Sequence, residues 1–403
     1  DALTLEVEQL DSYEAVNRLV ARAIDLGASD AFLLRAEHNV LFAVRRWGKM
    51  RTLAKLSTLR GQQLLGAIKA AAQMDISERR KPLDGRLVRE FDGTTVDLRV
   101  NSIPTLYGED IAMRILNRDV GLRSLDSLGL PQHDLDRLMT MIHSPSGLIL
   151  VTGPTGAGKT TTLYACLEHL NDGERKINTL EDPIEYAIAG IRQSQVLPRI
   201  GLDFAELLRG VMRQAPDVIM VGEIRDEETA TTAVRAAHSG HLVFATLHSP
   251  AAAAAVQTMI TLGENSRFFA GSILGVVAQR LVRTLCPQCR NFHDLSDAPS
   301  VFAEIEPLLS PGEGDKFYGP AGCEACQHSG YAGRTGLFEV MTFNRAMREL
   351  IAARGSALEL HRSAVEAGML ELRKSAMLKV AQGESSMEEI LSVIPPEYLG
   401  LDD

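Results

Sequence analysis

Eight residues, Gly153-Pro154-Thr155-Gly156-Ala157-Gly158-Lys159-Thr160, constrain what this chain can fold into more than any other feature. The pattern G-x-x-x-x-G-K-T follows the apolar run Leu148–Val151 and precedes the helix-forming Thr161–Leu170, the strand-loop-helix setting that a phosphate-binding loop requires. Glycines let the backbone curl until its N–H groups and the helix N-terminus surround phosphate oxygens. Lys159 then reaches the β- and γ-phosphates and the Thr160 hydroxyl takes Mg²⁺. The candidate ATP-binding set is Gly153–Thr161 together with Asp182, Glu185 and His241. A glycine-rich turn with no ligand is the alternative.

Around this loop the chain alternates buried-strand runs, Leu148–Val151, Ile177–Leu180, Val218–Val221 and Leu242–Leu247, with helical stretches. That alternation predicts an α/β fold with a doubly wound, mostly parallel sheet, the P-loop NTPase (RecA-like) class. Ligands of such sheets sit outside the carboxyl ends of the strands. Acidic residues occur there: Glu181, Asp182 and Glu185 after one strand and Glu223 after another. Glu223 fits a carboxylate that orients or deprotonates the attacking water, and Glu181 and Asp182 fit the magnesium side. Solvated charges or helix caps are the competing reading. His238, His241 and His248 flank the next strand; His248 fits a γ-phosphate sensor, with a three-histidine metal site or a hydrogen-bonded core histidine as alternatives.

Upstream, Tyr13, Val16, Val20 and Ile24 share a helical face that Gly27 can end, and Asp11 with Glu14 resembles a capping box. A second helix is expected through Leu64, Leu65, Ile68 and Ala72, and a turn at Lys81–Gly85. Thr95–Val100 and Ile111–Leu116 alternate with period two, placing Arg99 and Arg114 on their strands' non-apolar parity; strand pairing would bring both onto one face. Residues 1–118 therefore read as a small α/β domain, 119–131 as a linker and 132–403 as the ATPase domain, the last including 286–340 with its cysteines and a helical 341–403.

Length and composition agree: 403 residues hold two to four domains, with 45% hydrophobic and 23% charged residues. A net charge of -10 gives no bulk attraction to nucleic acid, so no nucleic-acid partner is expected. No apolar run reaches the roughly 18 residues of a membrane span. Asp1–Leu10 is acidic without a signal-peptide pattern, and the missing initiator Met reads as a fragment of a longer chain. Cys286-x2-Cys289 and Cys323-x2-Cys326, thirty-three residues apart, supply four thiolates, the ligand set of a closed, structural Zn²⁺ site. The spacer needs a helical excursion, which Val301–Leu309 offers. Unmetallated or redox dithiols are the alternative, and Cys166 reads as a small buried apolar residue.

Together Ser146–Ala165, Leu180–Tyr186, Arg213–Ala230, Ala237–Ser249 and Gln279–Cys289 resemble, in this order, the ATPases of type II secretion and type IV pilus assembly. The resemblance implies that Glu181, Asp182 and Glu185 form an aspartate box, Glu223 lies in a variant Walker B strand, and His241 and His248 belong to a histidine box. It also implies a PAS-like N-terminal domain whose arginines, here Arg99 and Arg114, reach the nucleotide across a domain cleft. By the same resemblance, assembly and secretion members carry the tetracysteine module and retraction members lack it. A cytoplasmic ring, normally a hexamer, peripheral to the inner membrane through platform and cytoplasmic anchor proteins, is the expected assembly. A non-hydrolysing regulatory subunit and a nucleic-acid-dependent P-loop motor remain as alternatives.

Overall fold

Local signals set the first elements. Asp11 accepts the N–H groups of Tyr13 at 2.8 Å and Glu14 at 2.9 Å, capping the helix Ser12–Asp25, and Gly27 at φ +63° lets the chain leave it. The buried face is Ala15, Val16, Leu19, Val20 and Ala23. Tyr13, expected on that face, points outward beneath the Arg89 guanidinium, 4.2 Å from its ring centre.

The computed structural model describes residues 2–91, 94–117, 122–263, 265–294, 299–395 and 398. The chain divides into two compact units, Asp1–Gly121 and Leu122–Asp403. Of the stretch read as a linker, residues 119–121 lie outside the described residues; Leu125 and Leu128, farther along, are buried in the second unit.

The first unit contains α1 (Ala2–Gln9), α2 (Ser12–Asp25), β1 (Asp30–Arg35), β2 (Val40–Arg46), β3 (Lys49–Leu56), α3 (Thr58–Ala71), β4 (Leu83–Phe91), β5 (Thr94–Thr105) and β6 (Gly108–Asn117). Among the described residues its strands form one antiparallel sheet in the order β3-β2-β1-β6-β5-β4. The expected turn at Lys81–Gly85 is shorter than read, because β4 already begins at Leu83. Val96, Leu98, Val100, Ile111 and Met113 share one core with Val16, Leu19 and Ile68 of the helices. Each such side chain stabilises the unit by about 1.5–3 kcal/mol through burial.

The second unit contains α4 (Gln132–Ile142), β7 (Gly147–Thr152), α5 (Lys159–Leu170), β8 (Ile177–Glu181), β9 (Arg192–Gln195), α6 (Phe204–Met212), β10 (Val218–Val221), α7 (Glu227–His238), β11 (Leu242–Leu247), α8 (Ala252–Thr261), α9 (Ser266–Ser272) and β12 (Ile273–Leu285). It continues with β13 (Asn291–Asp294), β14 (Lys316–Gly319), β15 (Tyr331–Thr342), α10 (Arg345–Ala352), α11 (Ala357–Glu366), α12 (Leu372–Ala381) and α13 (Met387–Val393). The main sheet runs β15-β12-β7-β11-β10-β8-β9, parallel except for the antiparallel edge strand β15. Every residue of β7, β8, β10 and β11 is buried, which is why these strands read as continuous apolar runs: helices cover both faces. This is the mixed, mostly parallel α/β fold expected from the sequence.

Asp134 of α4 is fully buried, and its Oδ2 has no hydrogen-bond partner among the described residues. Burial, with the Glu339 carboxylate adding to it against the pull of His133 and Arg137, raises its pKa to about 6. The fold therefore prefers the neutral acid. Its stabilising contribution is complete below the ordinary value of 3.8 and is lost as pH rises towards 6. Asp134→Asn is expected to gain on the order of 2 kcal/mol over the parent between pH 4 and pH 7.5. Urea unfolding at both pH values measures this; a pH-independent difference would contradict it.

Candidate active site

The carboxyl ends of β7, β8, β10 and β11 lie along one edge of the parallel sheet. Gly153–Gly158 loops from β7 into α5, with Pro154, Thr155 and Gly156 exposed and Ala157 buried. Thr160 and Thr161 are half-buried in the first turn of α5. Lys159 turns back over the loop. Its Nζ donates to the carbonyls of Gly153 at 2.7 Å and Pro154 at 3.2 Å and stands 3.4 Å from His248 Nδ1. Burial first, with the nearby Arg280 charge, lowers the Lys159 pKa against the opposing pull of Glu223.

Glu223 lies two residues beyond β10, and His248 directly after β11. Their side chains meet: His248 Nε2 is 2.8 Å from Glu223 Oε1. Arg225 Nε donates to Glu223 Oε2 at 2.6 Å, and Arg225 Nη1 lies 3.4 Å from Asp182 Oδ2. A continuous polar chain, Lys159–His248–Glu223–Arg225–Asp182, thus crosses the strand ends. Backbone bonds hold it: Gly222 N–H donates to the Leu180 carbonyl at 2.7 Å, and Ile224 N–H to Thr246 at 3.0 Å. Arg225 was missed by sequence reasoning. Its position two residues after a strand-end carboxylate was the available signal.

Glu181 differs from its expected place on the magnesium side. It is 3% exposed and its carboxylate accepts from the Tyr164 hydroxyl, from Thr179 Oγ1 at 2.5 Å and from Gln193 Nε2 at 3.0 Å. The network joins α5, β8 and β9, so Glu181 braces the helix that follows the phosphate loop. With its carboxylate beside it, burial pushes the Tyr164 phenol strongly upward, keeping it a donor. Glu185 is half-buried in the loop after β8.

His241 is a correction. It precedes β11, its Nδ1 is 2.9 Å from the Ala236 carbonyl, and the β11–β7 register puts it beside Gly147 at the opposite edge of the sheet from the loop. A strand of six residues separates it from His248, roughly 20 Å. Side chains at the two ends of one strand cannot share a phosphate. His238 instead packs edge-on against Phe268, with ring centres 5.3 Å apart, so the three histidines form no metal site.

In the first unit, strand pairing sets Arg86 opposite Arg99 and Arg99 opposite Arg114; Arg114 is opposite Asp30, and Asp30 opposite Arg45. Directly opposed residues share a face, so the expected pairing of Arg99 with Arg114 is met. Asp30 lies 3.4 Å from Arg114 and 3.8 Å from Arg45, offsetting part of the repulsion along this row.

The antiparallel pairing of β12 with β15 also brings the cysteines together, since Cys286 follows β12 directly and Cys323 and Cys326 precede β15. The Sγ–Sγ distances are 3.9 Å for Cys286–Cys323 and 3.8 Å for both Cys289–Cys326 and Cys323–Cys326, and all four sulfurs lie within 4.8 Å of one another. A tetrahedron with Zn–S bonds of about 2.3 Å has edges of about 3.8 Å, so the donor set fits Zn²⁺. At Cys326 desolvation opposes ionisation, but the N–H groups of Cys323 and Gly330, each 3.2 Å from its sulfur, and the neighbouring thiols bring the pKa down to about 6. The spacer's helical excursion consists of 3-10 turns over Pro299–Leu308, interrupted at Phe302. Cys166 is buried, and burial pushes its thiol up to about 12, as its apolar reading implies.

Known proteins resemble this chain along most of its length. The sequence profile of the family described as Type II/IV secretion system protein matches residues 8–392. The type II secretion system ATPase E of Vibrio cholerae is 41% identical over 383 residues, covering 94% of this chain and 74% of its own. The type IV pilus assembly ATPase PilB of Pseudomonas aeruginosa is 39% identical over 382 residues, covering 93% and 66%. Among solved structures, the pilus retraction motor PilT with bound ADP superposes with a TM-score of 0.63 at 26% identity, covering 95% of this chain and 98% of that one. With its phosphate loop, strand-end carboxylate and parallel sheet in one arrangement, this chain belongs to the Type II/IV secretion system protein family.

Proposed function

We propose that the chain hydrolyses MgATP as a motor subunit of a type II secretion or type IV pilus assembly machine. The observation that carries this reading is the polar chain from Lys159 through His248 to Glu223, because it links a phosphate-binding lysine to a carboxylate able to take a proton. Lys159 leaves the Gly153 and Pro154 carbonyls for the β- and γ-phosphates. Glu223 orients the attacking water and accepts its proton, with His248 and Arg225 fixing the carboxylate's direction. Thr160, with Asp182 and Glu185 on its side, would hold Mg²⁺, which would supply charge neutralisation at the phosphates.

Arg99 and Arg114, which share one face of the first unit's sheet, supply positive charge for the transferred phosphate. The four cysteines hold a structural Zn²⁺. The working form is a hexameric ring in the cytoplasm, held at the inner membrane by platform and anchor proteins. No helix among the described residues is long and apolar enough to cross a membrane.

Phosphate release by the purified chain tests the reading. Turnover should require Mg²⁺, ignore single-stranded DNA and fall at least a hundredfold in Lys159→Ala. Arg99→Ala and Arg114→Ala should each lower turnover about tenfold or more, with the thermal transition unchanged. A Lys159→Ala rate equal to the parent's would remove the loop from the chemistry.

A further inference from the structure

β12 runs beside β7, pairing Val277 with Val151 and Ala278 with Thr152, so the next two residues, Gln279 and Arg280, come level with the start of the phosphate loop. Gln279 is 1% exposed and Arg280 5%. The approach dictates residue type in the loop. A Cβ on Gly153, at φ +148°, would lie 2.4 Å from the Gln279 carbonyl oxygen, and one on Gly158, at φ +88°, would lie 3.2 Å from Gln279 Nε2.

The Gln279 amide donates from Nε2 to the Ala157 carbonyl at 2.7 Å. Its Oε1 is buried with no partner among the described residues. Reversing the amide would set acceptor against acceptor at Ala157, so the orphaned oxygen follows from holding that peptide in place. Arg280 spans the same region. Its Nη1 donates to the Gln279 carbonyl at 3.2 Å and its Nη2 to the Pro250 carbonyl at 2.9 Å, two residues beyond His248. No carboxylate of a described residue forms an ion pair with it. Burial lowers the Arg280 pKa against the more distant pull of Tyr398 and Glu339; a guanidinium buried without a carboxylate in contact is costly, and an anion entering the adjacent loop lowers that cost.

We infer that Gln279 and Arg280 are positioning residues of the nucleotide site. Gln279 fixes the Ala157–Lys159 peptides so that their N–H groups face the phosphates. Arg280 ties β12, whose Gln279 carbonyl abuts Gly153, to the Pro250 carbonyl just beyond His248 and places a buried positive charge behind the anion. This rests on the nucleotide reading of the loop.

The test uses the full chain, with fluorescent MgADP affinity, KM and kcat for ATP, and the thermal transition as readouts. Gln279→Leu keeps the volume and removes the donor; Gln279→Glu keeps the size and replaces the donor with an acceptor. Both should weaken MgADP binding and raise KM about tenfold while kcat stays within about threefold. Arg280→Met should weaken binding similarly, with Arg280→Lys within about threefold of the parent. Gln279→Leu with affinity and KM within twofold of the parent overturns the role of Gln279, as does loss of the folded state in both Gln279 variants, which would make it core packing alone. Arg280→Lys no better than Arg280→Met overturns the charge assigned to Arg280. A parent chain that binds no MgADP would instead sink the nucleotide reading itself, so the two failures are distinguishable.

Discussion

Glu223→Gln is expected to lower steady-state ATP turnover at least tenfold while leaving MgADP affinity within about threefold of the parent. The substitution preserves shape but not proton chemistry. In the parent, one carboxylate oxygen faces His248 Nε2 at 2.8 Å and the other accepts from Arg225 Nε at 2.6 Å. A glutamine can present its oxygen to only one of them, and its amide is no base near neutral pH. Binding is spared because the phosphate grip belongs to the loop and Lys159. Phosphate release and fluorescent-nucleotide titration on the same preparation separate the two effects. Equal rates in variant and parent would exclude Glu223 from proton transfer.

Removal of zinc is expected to have the largest structural effect. Cys326→Ser should reduce bound zinc at least fivefold and lower the second unit's thermal transition by about 10 °C or more, since structural zinc sites contribute folding free energy directly. Cys326 and Cys286 are the buried members of the set, and two backbone N–H groups point at the Cys326 sulfur. The module closes the far ends of β12 and β15, so losing it frees the edge of the sheet. Atomic absorption and thermal melts with and without chelator measure both quantities. A metal-free chain with an unchanged transition would leave the cysteines as unmetallated pairs.

Several features were legible because they are local. The phosphate loop needs contiguous residue types, and the four buried strands announce themselves as unbroken apolar runs. The parity of Arg99 and Arg114 follows from the two-residue period of a strand, and the observed register sets the two directly opposite each other. Other features escaped because they depend on which elements meet. Arg225 gains meaning only when β8 and β10 lie side by side and Asp182 comes within its reach. Glu181 sits at a strand end, as read, but Tyr164 and Gln193 from neighbouring elements close over its carboxylate. The resemblance groups His241 and His248 in one histidine box, yet β11 places them at opposite ends of one strand.

The amino-acid sequence alone determined the identity of the loop, the parallel sheet it requires, and the thiolates available for a metal, since each depends on residue type and short-range spacing. Tertiary structure decided which polar groups share the strand ends, which carboxylate is enclosed, and how Gln279 and Arg280 press on the loop. Those outcomes follow from strand order and register, which join residues tens of positions apart through backbone hydrogen bonding and burial on both faces of the sheet.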